Sequence, residues 1–242
     1  MIIDSAVRLR TAGNWAQIKA WLAAWQRLGI GHAIVAPADA QATIANEEGN
    51  TQLARLMRRY PKQISGLAVA NPWRGTEAVA LLEKAFDNGL SGLYLCPPRQ
   101  GFRLTESIVD PLLKVCHRRR KPVYSHTGTP ICSEPLQLAE LARRFPEITF
   151  IMGHGGYPDF WYDVAPALRQ APNLMLETSC QMAAVIQQAL DAVGPDRILF
   201  GSGFPRSKPD FEIRKIQTMG LPAKTLTKIM AMNAMRCWGI CL

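Results

Sequence analysis

Short apolar segments alternate with helix-forming segments along the whole chain, and this alternation constrains the fold more than any other feature. Eight segments have the length and apolar content of buried strands, and each is followed by a segment with helical periodicity. Such alternation implies parallel strands joined by right-handed crossovers, which 242 residues suffice to close into a barrel. We therefore predict an α/β fold, a single (β/α)8 TIM barrel over residues 1–242.

The bounds of these segments follow from their periodicity. The predicted strands are residues 2–9, 32–36, 64–70, 91–96, 122–126, 149–153, 173–177 and 197–201. The predicted helices are residues 15–28, 51–60, 76–88, 106–119, 135–145, 160–169, 182–193 and 223–237. A doubly wound open sheet is the alternative, but no GxGxxG motif follows the first strand.

The chain is basic, with a net charge of +9. The positions of the charges indicate whether they serve the fold or bind nucleic acid. Basic residues cluster at Arg58-Arg59, residues 118–121 and Arg143-Arg144, each time where a predicted helix ends. Cations at these positions complement the helix dipole, and in a barrel they lie on the face opposite the active site. No nucleic-acid-binding motif accompanies them, so we expect no nucleic-acid partner.

The apolar runs and the cysteines bear on where the protein is located and on the redox state of its thiols. The apolar runs are strand-length, so no membrane partner is expected, and the first residues lack a secretion signal. We expect a cytoplasmic protein with free thiols at all six cysteines, which are Cys96, Cys116, Cys132, Cys180, Cys237 and Cys241. Whether the chain forms a homo-oligomer is left open.

Two of the four histidines end adjacent predicted strands. His126 ends the fifth strand and His154 directly follows the sixth, and a glycine follows each of them closely. Function in a barrel of this type lies at the carboxyl ends of the strands, so both are predicted to be site residues. His32 opens the second strand at the opposite end and His117 ends a helix, so these two are predicted to be structural.

Several segments together resemble the amidohydrolase-related family, including its aminocarboxymuconate-semialdehyde decarboxylase type. The matching pieces occur in family order at residues 2–4, 59–61, 71–72, 74–75, 92–98, 100–102, 122–128, 153–156 and 197–205. The resemblance implies a (β/α)8 barrel that binds a divalent metal, usually zinc. It assigns the ligands to a His-x-His pair after the first strand and to histidines on strands five and six. An Asp after strand eight binds metal or moves protons.

The chain departs from this pattern at the implied metal centre. Ala6 and Arg8 stand at the positions of the paired histidines, and Gly203 stands where the family has its Asp. Strand four has Tyr94 and Cys96 where a Lys-x-His pattern is common. Of the implied residues only the two histidines that end strands five and six remain. We therefore expect no metal cofactor, and three hypotheses stay open.

The first hypothesis is a degenerate family member, a pseudoenzyme without metal-dependent hydrolysis. It would bind a small molecule or modulate an active relative through its surface.

The second is a hydrolase or decarboxylase of a small organic acid with a rebuilt zinc site. Its ligands would be Cys96, His126 and His154, because one thiolate, two imidazoles and water make a plausible catalytic zinc site. Glu177, which ends strand seven, would be the general base.

The third is a metal-free enzyme or binder for an anionic small molecule. Arg8 would hold a carboxylate or phosphate through paired hydrogen bonds, with Arg99 and Arg206 on nearby loops. Tyr94 and Cys96 would contribute to the same ligand site. The competing interpretation of Arg8 is an internal ion pair with Asp4 or Glu177.

Overall fold

The computed structural model describes residues 1–8 and 14–241, in which eight strands form one parallel sheet in chain order. The strands are β1 (Ile2–Arg8), β2 (Ile30–Ala36), β3 (Ile64–Ala68), β4 (Gly92–Leu95), β5 (Val123–His126), β6 (Phe150–Gly153), β7 (Leu174–Glu177) and β8 (Ile198–Leu199). The amide of Ser5 donates to the carbonyl of Phe200 at 2.9 Å, and the amide of Arg8 donates to that of Phe204 at 2.8 Å. These bonds join the first strand to the last, so the sheet is a nearly closed (β/α)8 barrel, as predicted.

Helices surround the sheet. They are α1 (Trp15–Arg27), α2 (Asp39–Thr43), α3 (Asn46–Arg59), α4 (Thr76–Asp87), α5 (Pro97–Gln100), α6 (Asp110–Arg119), α7 (Pro135–Arg144), α8 (Val164–Gln170), α9 (Ala183–Val193), α10 (Pro209–Gln217), α11 (Ala223–Thr227) and α12 (Asn233–Trp238). Within residues 1–8 and 14–241, none of the helices combines the length and hydropathy needed to cross a membrane.

The differences from the predicted bounds have local causes. Helices α2 and α5 are too short to produce a periodic signal, and α10 was missed although Pro209 occupies its first turn. Strand β8 is shorter than predicted because the amide of Phe200 bonds to the carbonyl of Ile229 instead of continuing the ladder. Residue 9, predicted as the end of the first strand, lies outside the described residues.

The strands alternate between two apolar layers. In β2, Ala33 and Val35 belong to the layer between sheet and helices, whereas Ile34 and Ala36 belong to the layer inside the barrel. The alternation follows from the two-residue repeat of a strand. At the carboxyl ends of the strands the inner layer includes small side chains, Ala6 and Ala36, and a cavity remains there.

The opposite end of the barrel carries the predicted structural features. Basic side chains occupy the last turns of α3, α6 and α7, as expected for cations at helix C-termini. His32 bonds through its two ring nitrogens to the carbonyl of Lys62 and the hydroxyl of Ser65, which confirms its structural role. All six cysteines are free thiols.

Candidate functional site

The cavity at the carboxyl ends of the strands has a volume of about 410 Å³. Its walls combine apolar side chains with a group of charged and polar ones. The apolar lining includes Ile34, Leu67 and Phe204, and the polar lining consists of Ser5, Arg8, Asp39, Tyr94, Arg99, Tyr124, His154 and Arg206. The volume and the few polar groups on an apolar wall are typical of a small-molecule site.

Arg8, the last residue of β1, lies across this cavity. Its Nη1 is 3.2 Å from Oδ1 of Asp39, and its Nη2 is 3.4 Å from Nε2 of His154. The guanidinium carbon lies 5.5 Å from the ring centroid of Tyr94, in cation–π range. The guanidinium is thus held on three sides at the mouth of the barrel.

The ion-pair partner of Arg8 is Asp39, so the competing interpretation, a pair with Asp4 or Glu177, is wrong. Asp4 lies below the cavity, where Oδ1 accepts from the amides of Ala6 and Ser202 at 3.1 and 2.8 Å. Glu177 is fully buried and engaged with other donors. Among the described residues, neither of these carboxylates forms an ion pair with the guanidinium.

Asp39 is a residue that the sequence interpretation overlooked. It begins α2, three residues after β2 ends, and its Oδ2 also pairs with Nη2 of Arg99 at 2.8 Å. Its position just beyond a strand end was the available signal, because that region forms the rim of a barrel. Arg206 stands exposed at the same rim, without an ion-pair partner among the described residues. The cavity therefore has three cations and one acidic side chain around it.

His126 and His154 lie beside each other, as their sequence positions predicted, but of the two only His154 lines the cavity. Their ring centroids are 5.3 Å apart, and Nε2 of His126 is 3.3 Å from Oγ1 of Thr129. Nδ1 of His126 is buried and has no hydrogen-bond partner among the residues that the structure describes. Burial, reinforced by the charges of Arg8 and Arg206, lowers the pKa of His126 to about 3.

His154 begins a tight turn after β6, with a left-handed φ of +65°. Its Nδ1 is 2.7 Å from Oγ of Ser179. Burial lowers the pKa of His154 well below its ordinary value, and the neighbouring His126 and Arg8 lower it further. The site therefore contains two neutral imidazoles at neutral pH.

Glu177 lies beneath His154 and has no surface on the cavity. Its Oε2 accepts from the hydroxyl of Tyr124 at 2.8 Å and from the amide of His154 at 3.1 Å. The amide of Ser179 donates to Oε1 at 2.6 Å, and the Ser179 hydroxyl donates to Oε2 at 2.9 Å. Burial raises the pKa of Glu177, and these four hydrogen bonds oppose the increase. Tyr124 and Ser179 were not singled out from the sequence, although Ser179 lies two residues after the end of β7.

Cys96, which follows β4, is buried, and its thiol does not line the cavity. Burial raises the pKa of this thiol, although Arg8 lowers it in part. Within residues 1–8 and 14–241, no three His, Cys, Asp or Glu side chains are grouped so that they could hold a metal ion. The structure thus does not bring Cys96, His126 and His154 together as a ligand set.

Comparison with known proteins places these features in context. A family model described as amidohydrolase matches residues 18–240. No protein of curated function matches the sequence.

Solved structures share the whole fold. The chain is similar to 5-carboxyvanillate decarboxylase from Sphingomonas paucimobilis, with a TM-score of 0.80 and 14% identity over 99% of both chains. It is also similar to the 5-carboxyvanillate decarboxylase from Novosphingobium aromaticivorans complexed with manganese and 4-hydroxy-3-methoxy-5-nitrobenzoic acid (TM-score 0.77, 16% identity, 99% and 96% covered). A third similar structure is 2,6-dihydroxybenzoate decarboxylase from Rhizobium (TM-score 0.75, 16% identity, 98% of both chains). At these identities the likeness concerns the fold alone.

Proposed function

The chain belongs to the amidohydrolase family, and from this premise we propose that it binds a small organic carboxylate at Arg8 and lacks the family's conventional metal-dependent hydrolysis. The observation that carries the proposal is the Arg8 guanidinium itself. It lies in the barrel mouth at one of the two positions that the family resemblance assigns to paired histidines, 3.4 Å from Nε2 of His154.

The divalent metal implied by the resemblance does not fit the residues present. Ala6 offers no ligand atom, and Gly203 stands where the carboxylate would be. The ring nitrogen of His154 that faces the cavity meets a guanidinium. A guanidinium stays protonated at any ordinary pH and repels a second cation.

A carboxylate fits the same surroundings. Arg8, Arg99 and Arg206 carry three positive charges toward the cavity, against the single negative charge of Asp39. The planar donors of a guanidinium match the two oxygens of a carboxylate, and such charge-assisted hydrogen bonds are short and strong. Asp39 already makes this kind of contact, so it occupies a place that a ligand carboxylate could take.

The cavity walls favour an organic rather than an inorganic anion. Ile34, Leu67 and Phe204 offer apolar surface beside the cations, and burial of a ring or chain there would add to affinity. One similar structure holds a nitrobenzoic acid. This makes aromatic monocarboxylates a sensible first set of probes for this chain.

Calorimetric titration with benzoate, a four-carbon dicarboxylate and inorganic phosphate tests the proposal. We expect a carboxylate to bind, and Arg8→Gln to weaken its binding by about tenfold or more, because a charge-assisted hydrogen bond is lost. Arg143→Gln is the matched control, since Arg143 is exposed at the end of α7 on the opposite face. Absence of binding by every probe, or equal binding by the Arg8 variant, would refute the proposal.

Decarboxylation of an organic acid is the second candidate function. The observation in its favour is that the neutral imidazole of His154 lies 3.4 Å from Arg8, with the imidazole of His126 beside it. A carboxylate bound at Arg8 would therefore lie near a group able to exchange a proton. Release of CO2 from hydroxybenzoic acids, followed with and without added Mn²⁺, tests it. Turnover that depends on Mn²⁺ would contradict the proposed loss of metal-dependent chemistry, and turnover without metal would extend the carboxylate site to catalysis.

A further inference from the structure

A chain of four polar groups leads from the buried interior to the cavity. It consists of the carboxylate of Glu177, the hydroxyl of Ser179, the imidazole of His154 and the guanidinium of Arg8. The three contacts measure 2.9, 2.7 and 3.4 Å in that order. Each link joins a possible donor to a possible acceptor, so the positions of the hydrogens can be worked out from the two ends.

The outer end fixes one hydrogen position. A guanidinium has only N–H donors and no acceptor. The contact between Arg8 Nη2 and His154 Nε2 is therefore a hydrogen bond only if Nε2 presents its lone pair. In a neutral imidazole the other nitrogen, Nδ1, then carries the hydrogen.

The inner end leads to the same arrangement independently. Oε2 of Glu177 receives three donors, from Tyr124, from the amide of His154 and from Ser179. A serine hydroxyl has one hydrogen, and here Glu177 takes it. Oγ of Ser179 must then accept, and the hydrogen it accepts is the one on Nδ1 of His154.

From these two arguments we propose that Ser179 and Glu177 are positioning residues that fix His154 as the Nδ1–H tautomer. Nε2 then accepts a hydrogen bond from Arg8 and holds the guanidinium across the cavity. Burial supports the proposal, because Glu177, Ser179 and His154 are at most 4% exposed and water does not compete for their hydrogen bonds. The role of these hydrogen bonds in ligand binding rests on the proposed carboxylate site. The tautomer of His154 does not depend on that proposal.

The proposed tautomer also limits which hydrogen-bond donors a bound carboxylate can use. With its lone pair turned to the cavity, Nε2 of His154 cannot donate to an anion. A bound carboxylate would instead use the donors of Arg8 that face Asp39, beside Arg99.

Nitrogen-15 NMR of ligand-free protein labelled at histidine tests the tautomer directly. The chain has only four histidines, so the signals of His154 can be identified by their loss in His154→Asn. We expect a protonated Nδ1 and an unprotonated Nε2 at neutral pH. A protonated Nε2, or a doubly protonated ring, would overturn the proposal.

Ser179→Ala tests the positioning role. Removal of the acceptor should end the preference for the Nδ1–H tautomer. It should also weaken carboxylate binding by about tenfold, because the hydrogen bond from Arg8 to Nε2 of His154 is no longer maintained. Ser133→Ala is the control, because Ser133 is equally buried and its hydroxyl has no partner within the described residues. An unchanged tautomer in Ser179→Ala would contradict the role of Ser179. If wild-type protein has the expected tautomer yet binds no carboxylate, the proposed function fails and the hydrogen-bond chain stands.

Discussion

Glu177 and Gly201 share a space that has room for only one side chain. A β-carbon at Gly201 would overlap Oε1 of Glu177 and would lie 2.8 Å from the β-carbon of Ala6. The buried carboxylate therefore depends on the absence of a side chain on the neighbouring strand. Glu177 accepts hydrogen bonds from Tyr124, from Ser179 and from the amide of His154. The absence of a side chain at Gly201 therefore also maintains the positions of these residues beneath the cavity.

Gly201→Ala should therefore destabilise the protein. We expect the free energy of unfolding to fall by about 1–3 kcal/mol, because an added methyl group in a close-packed interior forces its neighbours to move. Urea unfolding measures the effect. Gly31→Ala is the control, because a β-carbon there would meet only the side chain of Met1, whose flexible end can shift. Equal losses in the two variants would contradict the steric explanation.

Asp39→Asn should strengthen carboxylate binding. Asp39 contributes the only negative charge that pairs with Arg8 among the described residues, and its removal would release the guanidinium for a ligand. We expect the dissociation constant of a bound carboxylate to fall by up to about tenfold, with little change in stability because Asp39 is half exposed.

Calorimetry of Asp39→Asn beside Asp110→Asn provides the measurement. Asp110 pairs with Arg144, away from the cavity, and its replacement should leave binding unchanged. Weaker binding by Asp39→Asn would mean that Asp39 orients Arg8 for the ligand and does not compete with it.

The stability of the protein should depend on pH through Asp4. Burial raises the pKa of Asp4 from 3.8 to about 7, and hydrogen bonds from Ser202 and Ala6 limit the increase. Between those two values the folded protein binds more protons than the unfolded chain. The contribution of Asp4 to stability is therefore fully present below pH 3.8 and is lost as pH rises through about 7.

Asp4→Asn isolates this contribution. Relative to wild type, its free energy of unfolding should increase progressively from about pH 4 to pH 7 and then level off. The buried histidines change stability with pH in the opposite direction, because the lowered pKa of His126 reduces stability below pH 6.5. Both proteins contain these histidines, so their effect cancels in the comparison. Asp191→Asn, at an exposed position on α9, is the control. A difference between Asp4→Asn and wild type that is constant with pH would contradict the prediction.

Reversion of the implied metal positions should not create a stable zinc site. Gly203 has a φ of +66°, and a β-carbon there would lie 3.0 Å from the β-carbon of Ser179. A side chain at this position is both strained and crowded. We expect the triple variant Ala6→His, Arg8→His, Gly203→Asp to lose stability and to retain less than one zinc ion per chain in elemental analysis. The single variant Gly203→Asp shows how much of the loss of stability is steric. One zinc ion per chain in the triple variant would disprove this expectation.

The sequence by itself determined the architecture. The order of apolar runs and helical segments predicts eight parallel strands, because each strand of a barrel is buried on both faces and each crossover is a helix that must bury one side. The same order places His126 and His154 at the carboxyl ends of adjacent strands, and the structure has them 5.3 Å apart. Local pattern was sufficient for these features since strand direction and neighbour order follow from the connections alone.

The tertiary structure decided which side chains meet. Arg8 pairs with Asp39, 31 residues away, and contacts His154, 146 residues away. Glu177, the general base of one hypothesis, lies buried, because Gly201 leaves space for it and four donors compensate its desolvation. Such contacts depend on rotamers, on the space between strands and on competition among donors for one acceptor. These quantities exist only once the barrel has closed and brought distant segments together.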